Sequence, residues 1–124
     1  MVEASGLPGR HVIEGYGAGG FRFGGMSHRG SILALPSGLY PWEVEAAPNV
    51  SVASLDRVFA EADGIEHLLV GLGADFGVLA PAIVQACRAR KIVPEPMATA
   101  AAARTYNVLM GEGRRVAAAL IAAP

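Results

Sequence analysis

At 124 residues the chain has the length of one domain, and its 52% hydrophobic and 17% charged residues supply ample core and little solvated surface, with apolar surface to spare for a protein partner or a homo-oligomer. Ten basic against eleven acidic residues give a formal net charge of −1, and no Lys/Arg cluster exceeds Arg114-Arg115, so the electrostatic footprint of nucleic-acid binding is missing. The single cysteine, Cys87, excludes an intrachain disulfide framework and a thiolate zinc site, and no apolar run approaches the ~20 residues of a membrane helix; the expectation is a soluble cytoplasmic protein with no membrane span and no cofactor.

Residues 1–10, with Gly6, Pro8 and Gly9 and little periodicity, read as a loose tail. His11-Val12-Ile13-Glu14-Gly15-Tyr16 reads as a first strand by imperfect alternation. Gly17, Gly19, Gly20, Gly24 and Gly25 punctuate the stretch around Phe21-Arg22-Phe23, and Ser31-Ile32-Leu33-Ala34-Leu35 is a short apolar strand ended by Pro36-Ser37-Gly38. Leu39 to Val44 has the character of an edge strand, because Pro41 cannot donate to a ladder. The second half changes period. Ser54 or Asp56 caps a helix whose apolar stripe is Leu55, Val58, Phe59 and Ala62, and Gly64 stops it. His67 to Gly73 is nearly continuous in apolar residues, as a strand buried on both faces requires. Leu79 to Arg90 forms a helix with Pro81 in its first turn and Ile83, Ala86 and Cys87 inward; Lys91 to Pro94 is a brief strand. An Ala-rich helix runs from about Thr99 to Met110, Gly111 to Gly113 end it, and Arg115 to Ile121 is the last strand. This order, β-rich and then α-β-α-β-α-β, predicts a βαβ sheet that the first-half strands extend or cover.

Two glycine-rich loops invite a ligand. Gly17-Ala18-Gly19-Gly20 fails the dinucleotide fingerprint, since Arg22 stands where the third glycine belongs and no helix follows; it reads as a tight turn. Gly71-Leu72-Gly73-Ala74-Asp75-Phe76 follows a buried strand and precedes a helix, the position at which open α/β sheets bind ligands, and it reads either as an anion cradle of backbone N–H groups or as a plain loop with Asp75 as cap. Opposite it would stand Met97, Thr99, Arg104 and Asn107. Arg104 and Asn107 lie one turn apart on one helix face, and the guanidinium either clamps a bound carboxylate or phosphate or ties off groups of its own chain. The cleft candidates are therefore Gly71, Gly73, Ala74, Met97, Thr99, Arg104 and Asn107, and Arg22 and Trp42 are the candidates for contact with a partner. His11, His28 and His67 have no metal-ligand spacing, no serine sits in a nucleophile elbow, and Cys87 reads as a core thiol, so no catalytic or metal constellation emerges.

Several segments together carry a family likeness: Gly19-Gly20-Phe21-Arg22, Gly30-Ser31-Ile32-Leu33, Pro36 with Pro41-Trp42, Leu69-Val70-Gly71-Leu72-Gly73, Met97 and Thr99 with Arg104-Thr105-Tyr106-Asn107-Val108-Leu109, and Arg114 to Ile121. The chain resembles the bacterial relatives of mitochondrial complex I assembly factor 3, a domain-of-unknown-function family, over about residues 11 to 122. The resemblance implies an α/β fold, a three-layer single domain over residues 1–124 with a central mixed β-sheet flanked by helices and an additional N-terminal antiparallel β element. It also implies work through protein contacts, with respiratory-complex subunits as partners and no established catalysis. Many relatives place a cysteine where this chain has Ala103, which argues against thiol chemistry as the shared function. The expected function is that of a non-enzymatic assembly or interaction protein assisting respiratory complex I biogenesis; the alternative is an anion-binding protein or enzyme using the cleft above.

Overall fold

A computed structural model of the chain describes residues 6–74 and 77–124. Its strands are β1 (Leu7–Pro8), β2 (Gly15–Gly17), β3 (Gly20–Phe23), β4 (Met26–Arg29), β5 (Ile32–Leu35), β6 (Gly38–Pro41), β7 (His67–Gly71), β8 (Val93–Met97) and β9 (Val116–Leu120). The helices are α1 (Asp56–Ala60), α2 (Pro81–Ala89) and α3 (Thr99–Gly111), with short 3-10 turns at Ala47–Asn49, Ala53–Leu55 and Ala62–Gly64. Six strands form one sheet in the order β1-β6-β5-β9-β7-β8, and β2-β3-β4 form a separate antiparallel sheet. The large sheet is mixed: β7 runs parallel to both β8 and β9, while β5 is antiparallel to β6 and β9.

The period-2 alternation of the central strands sorts the core into two halves. Leu33 and Leu35 of β5, Leu68 and Val70 of β7, and Ala117 and Ala119 of β9 face one way, where they meet Leu55 and Val58, Ile83 and Cys87, Trp42 and Val44. Ile32 and Ala34, Leu69, and Val116, Ala118 and Leu120 face the other way, against Ala102, Ala103 and Tyr106 of α3 and Phe21 and Phe23 of the small sheet. Helices α1 and α2 thus cover one face of the central sheet, and α3 with the small sheet covers the other. Alanines on both sides of the α3 contact keep helix and strands close.

The end of α3 follows from its glycines. Gly113 has φ +76 and donates its N–H to the Met110 carbonyl, while the Arg114 N–H reaches Leu109, so the left-handed residue satisfies two carbonyls that the helix leaves open.

Several boundaries differ from the sequence expectation. The first strand shrinks to Gly15–Gly17, and Leu7–Pro8, expected in a tail, instead pairs with β6 as an edge strand. Neither Ser54 nor Asp56 caps α1; Ser51 and Ser54 exchange side-chain-to-backbone hydrogen bonds one turn earlier. Strand β8 runs on to Met97 through Pro94 and Pro96. It can do so because its inward-bonding residues alternate with them: the Val93 N–H donates to Glu66, the Met97 carbonyl accepts from Leu72, and the two proline nitrogens fall on the outward side.

Candidate functional site

Helix α3 presents three polar anchors, Arg104, Tyr106 and Asn107, to the segment 10–17. Asn107 Oδ1 accepts the Ile13 N–H at 2.8 Å and Asn107 Nδ2 donates to the Ile13 carbonyl at 2.8 Å, so the amide replaces a strand neighbour for one residue of backbone. Arg10 Nη1 donates to the hydroxyl of the fully buried Tyr106 (3.2 Å) and to the Val116 carbonyl (2.8 Å). Burial pushes the Tyr106 phenol up, with the charge and hydrogen bond of Arg10 pulling the other way. Arg104 Nη1 donates to the Tyr16 hydroxyl at 2.7 Å on an exposed rim. Arg104, Tyr106 and Asn107 therefore seat the N-terminal segment that leads into the small sheet. Since Arg104 is exposed and makes one such bond, Arg104→Ala is expected to leave the melting temperature within about 3 °C, measurable by circular dichroism.

The loop after β7 is tied to the start of α3. Gly73 N–H donates to Thr99 Oγ1 (2.9 Å), Thr99 Oγ1 donates to the Ile121 carbonyl (2.7 Å), Thr99 N–H returns to the Gly73 carbonyl, and Leu72 N–H donates to Met97. Gly71 is buried, and a Cβ there would stand 2.9 Å from the Thr99 Cα. Of the cleft candidates, Gly71, Gly73, Met97 and Thr99 are thus brought together, but as a latch whose N–H groups at Leu72, Gly73 and Thr99 already have protein acceptors. Ala74 is exposed beside them, Arg104 and Asn107 point to the N-terminal segment instead, and the cap expected at Asp75 lies outside the described residues. Thr99→Val keeps the shape and deletes both hydroxyl bonds, leaving the Gly73 N–H and the Ile121 carbonyl without partners. It is expected to cost about 2 kcal/mol, read as a lower midpoint in urea.

Trp42 is a core residue, 4% exposed, with its indole N–H donated to the Ser54 carbonyl, so its ring offers no surface to a partner. Cys87 is buried, and burial pushes its thiol up. Glu66, His67, Glu95, Arg114 and Arg115 form an exposed ion cluster beside the start of β7, which has the character of a solvated network.

Arg22 stands in a different setting. The small sheet carries a concavity of ≈ 480 Å³ lined by Gly15, Tyr16, Gly17, Ala18, Gly20, Phe21, Arg22, Ser27, His28 and Arg29. Its rim is cationic, and no acidic residue lines it. Phe21 and His28 are the buried underside, and burial pushes the His28 imidazole down, against a bond to the Ser31 backbone. Sequence reasoning missed Ser27 and Arg29 here, because only the pairing of Arg22 with Ser27 and of Gly20 with Arg29 brings them onto one surface, whereas Tyr16 pairs with Phe21 and turns its hydroxyl to Arg104.

The family described as "Protein of unknown function (DUF498/DUF598)" matches residues 13–121. An uncharacterized protein of Rhodobacter capsulatus is 40% identical over 119 residues, which cover 96% of this chain and 90% of that protein. NADH dehydrogenase (ubiquinone) 1 alpha subcomplex assembly factor 3 of Danio rerio is 34% identical over 91% of this chain, but the chain spans only 65% of that factor's length. Among solved structures, the crystal structure of an outer membrane protein from Bartonella henselae superposes with a TM-score of 0.91 at 43% identity, covering 95% of this chain and 99% of that one. In the present chain, no helix among the described residues is long and apolar enough to cross a membrane.

Proposed function

The chain belongs to this family of unknown function, and from that premise we propose that it acts by protein contacts, as a cytoplasmic factor assisting the assembly of respiratory NADH:ubiquinone oxidoreductase. The observation that carries the reading is the similarity to assembly factor 3, which runs through 91% of this chain. The chemistry of the polar groups supports it. Asn107, Tyr106 and Thr99, the residues most suggestive of a reactive site, spend their hydrogen-bonding capacity on the chain's own backbone and on Arg10. The alternative, an anion pocket or enzyme site at the Gly71–Ala74 loop, has against it the latch through Thr99. The test is a deletion of the gene in the source organism followed by native electrophoresis of solubilised respiratory membranes. A fall in assembled NADH:ubiquinone oxidoreductase, restored by the plasmid-borne gene, supports the reading. Normal levels of the complex would sink it.

A further inference from the structure

The cationic concavity on the small sheet is not used by anything described so far. Its floor is made of residues without side chains, Gly15, Gly17 and Gly20, and its walls are Arg22 and Arg29. Phe21, Phe23 and His28 are buried while Arg22, Ser27 and Arg29 are exposed, so β3 and β4 alternate between an inner face on the core and an outer face on this groove. The register pairs Arg22 with Ser27 and Gly20 with Arg29. Arg22 and Arg29 are therefore diagonal neighbours on that outer face, with their Cβ atoms about 7 Å apart. Among the described residues neither guanidinium has an acidic partner, and Glu14, which directly precedes β2, accepts the Gly25 N–H on its carboxylate.

We propose that this groove is a docking site for an acidic segment of a partner protein, bound in extended conformation across the glycine floor with carboxylates at alternate positions on Arg22 and Arg29. Three observations select this occupant. The groove is cationic in a chain whose net charge is −1, so the two arginines are a local concentration of charge and not a general basicity. Alternate side chains of an extended peptide repeat every ~6.7 Å, which matches the diagonal spacing of the arginines. The absence of side chains at Gly15 and Gly17 lets a peptide backbone approach the sheet closely, and the arginine stems give it apolar cover. Guanidinium forks then take each carboxylate through paired hydrogen bonds. This inference rests on the protein-contact reading above and specifies the chemistry of the contact.

The test uses the full chain, labelled with 15N, and a capped peptide of about nine residues with glutamate at alternate positions and alanine between. Expected are saturable shifts of the amides of Gly15 to Gly20 and of Ser27 to Arg29. Two exposed ion pairs of ordinary strength correspond to a weakening of about tenfold in the Arg22→Glu, Arg29→Glu double variant. Unchanged circular dichroism of that variant keeps the comparison clean. No shifts, shifts elsewhere, or equal shifts with the lysine counterpart of the peptide would overturn the proposal. Equal shifts with inorganic phosphate at the same concentration would overturn it in favour of a small-anion site. Concentration-dependent self-association removed by Glu43→Lys, Glu45→Lys would overturn it in favour of a second copy of this chain, whose exposed Glu43 and Glu45 also alternate. The outcome is separable from the assembly reading: full rescue of the deletion strain by the double-arginine variant discards the groove and leaves assembly standing.

Discussion

Replacing Asn107 by alanine is expected to lower the stability by about 2–3 kcal/mol, a fall of about 10 °C in melting temperature. The single amide holds both the N–H and the carbonyl of Ile13, and the Ile13 side chain is buried against the α3 face of the sheet. Its loss leaves two backbone groups to find water at a site where the segment is otherwise packed. Asn107→Asp is expected to be nearly as costly, since a carboxylate keeps the acceptor for the N–H but faces the Ile13 carbonyl with like polarity. Hydrogen exchange supplies the local readout: the Ile13 amide should lose its protection first in Asn107→Ala, while Asn107→Asp, which keeps its acceptor, should lose less there. Protection at Ile13 unchanged together with an unchanged melting temperature would show that the segment is held by other contacts.

Tyr106→Ala should be the more damaging change, at about 3–5 kcal/mol, because it empties a fully buried aromatic position between α3 and the sheet. Tyr106→Phe separates the ring from the hydroxyl. It keeps the packing and removes only the bond from Arg10, at a cost of about 1 kcal/mol. If that bond is what the hydroxyl contributes, Arg10→Ala and Tyr106→Phe will be non-additive in a double-mutant cycle read by urea unfolding. Additive losses would instead assign the role of Arg10 to its bond with the Val116 carbonyl.

The elements that build the core were legible in the sequence because their patterns admit one solution. A run such as Leu68-Leu69-Val70 has an apolar residue at every position, which suits a strand covered on both faces, and the Ala-rich α3 is bounded by a glycine that closes it. The family likeness and the mixed sheet with its separate antiparallel element stood up for the same reason. The site was less legible. Whether Arg104 holds a ligand or its own chain depends on what lies across from it, and Tyr16 is 88 residues away in sequence. Trp42, a candidate for partner contact that could equally be core, is core because the alternation that buries it continues beyond the end of β6. The groove was invisible for a related reason: Arg22 and Arg29 become neighbours only through the β3–β4 register, which two short glycine-flanked strands do not announce.

The two prolines of β8 have a consequence for the life of the molecule at high concentration. The edge of a sheet that ends in a strand with free outward N–H groups can recruit another chain and go on recruiting, one strand at a time. At Pro94 and Pro96 those donors do not exist, and Pro8 stands on the opposite edge strand, β1. Growth of the six-stranded sheet by added strands is thereby starved at both of its ends.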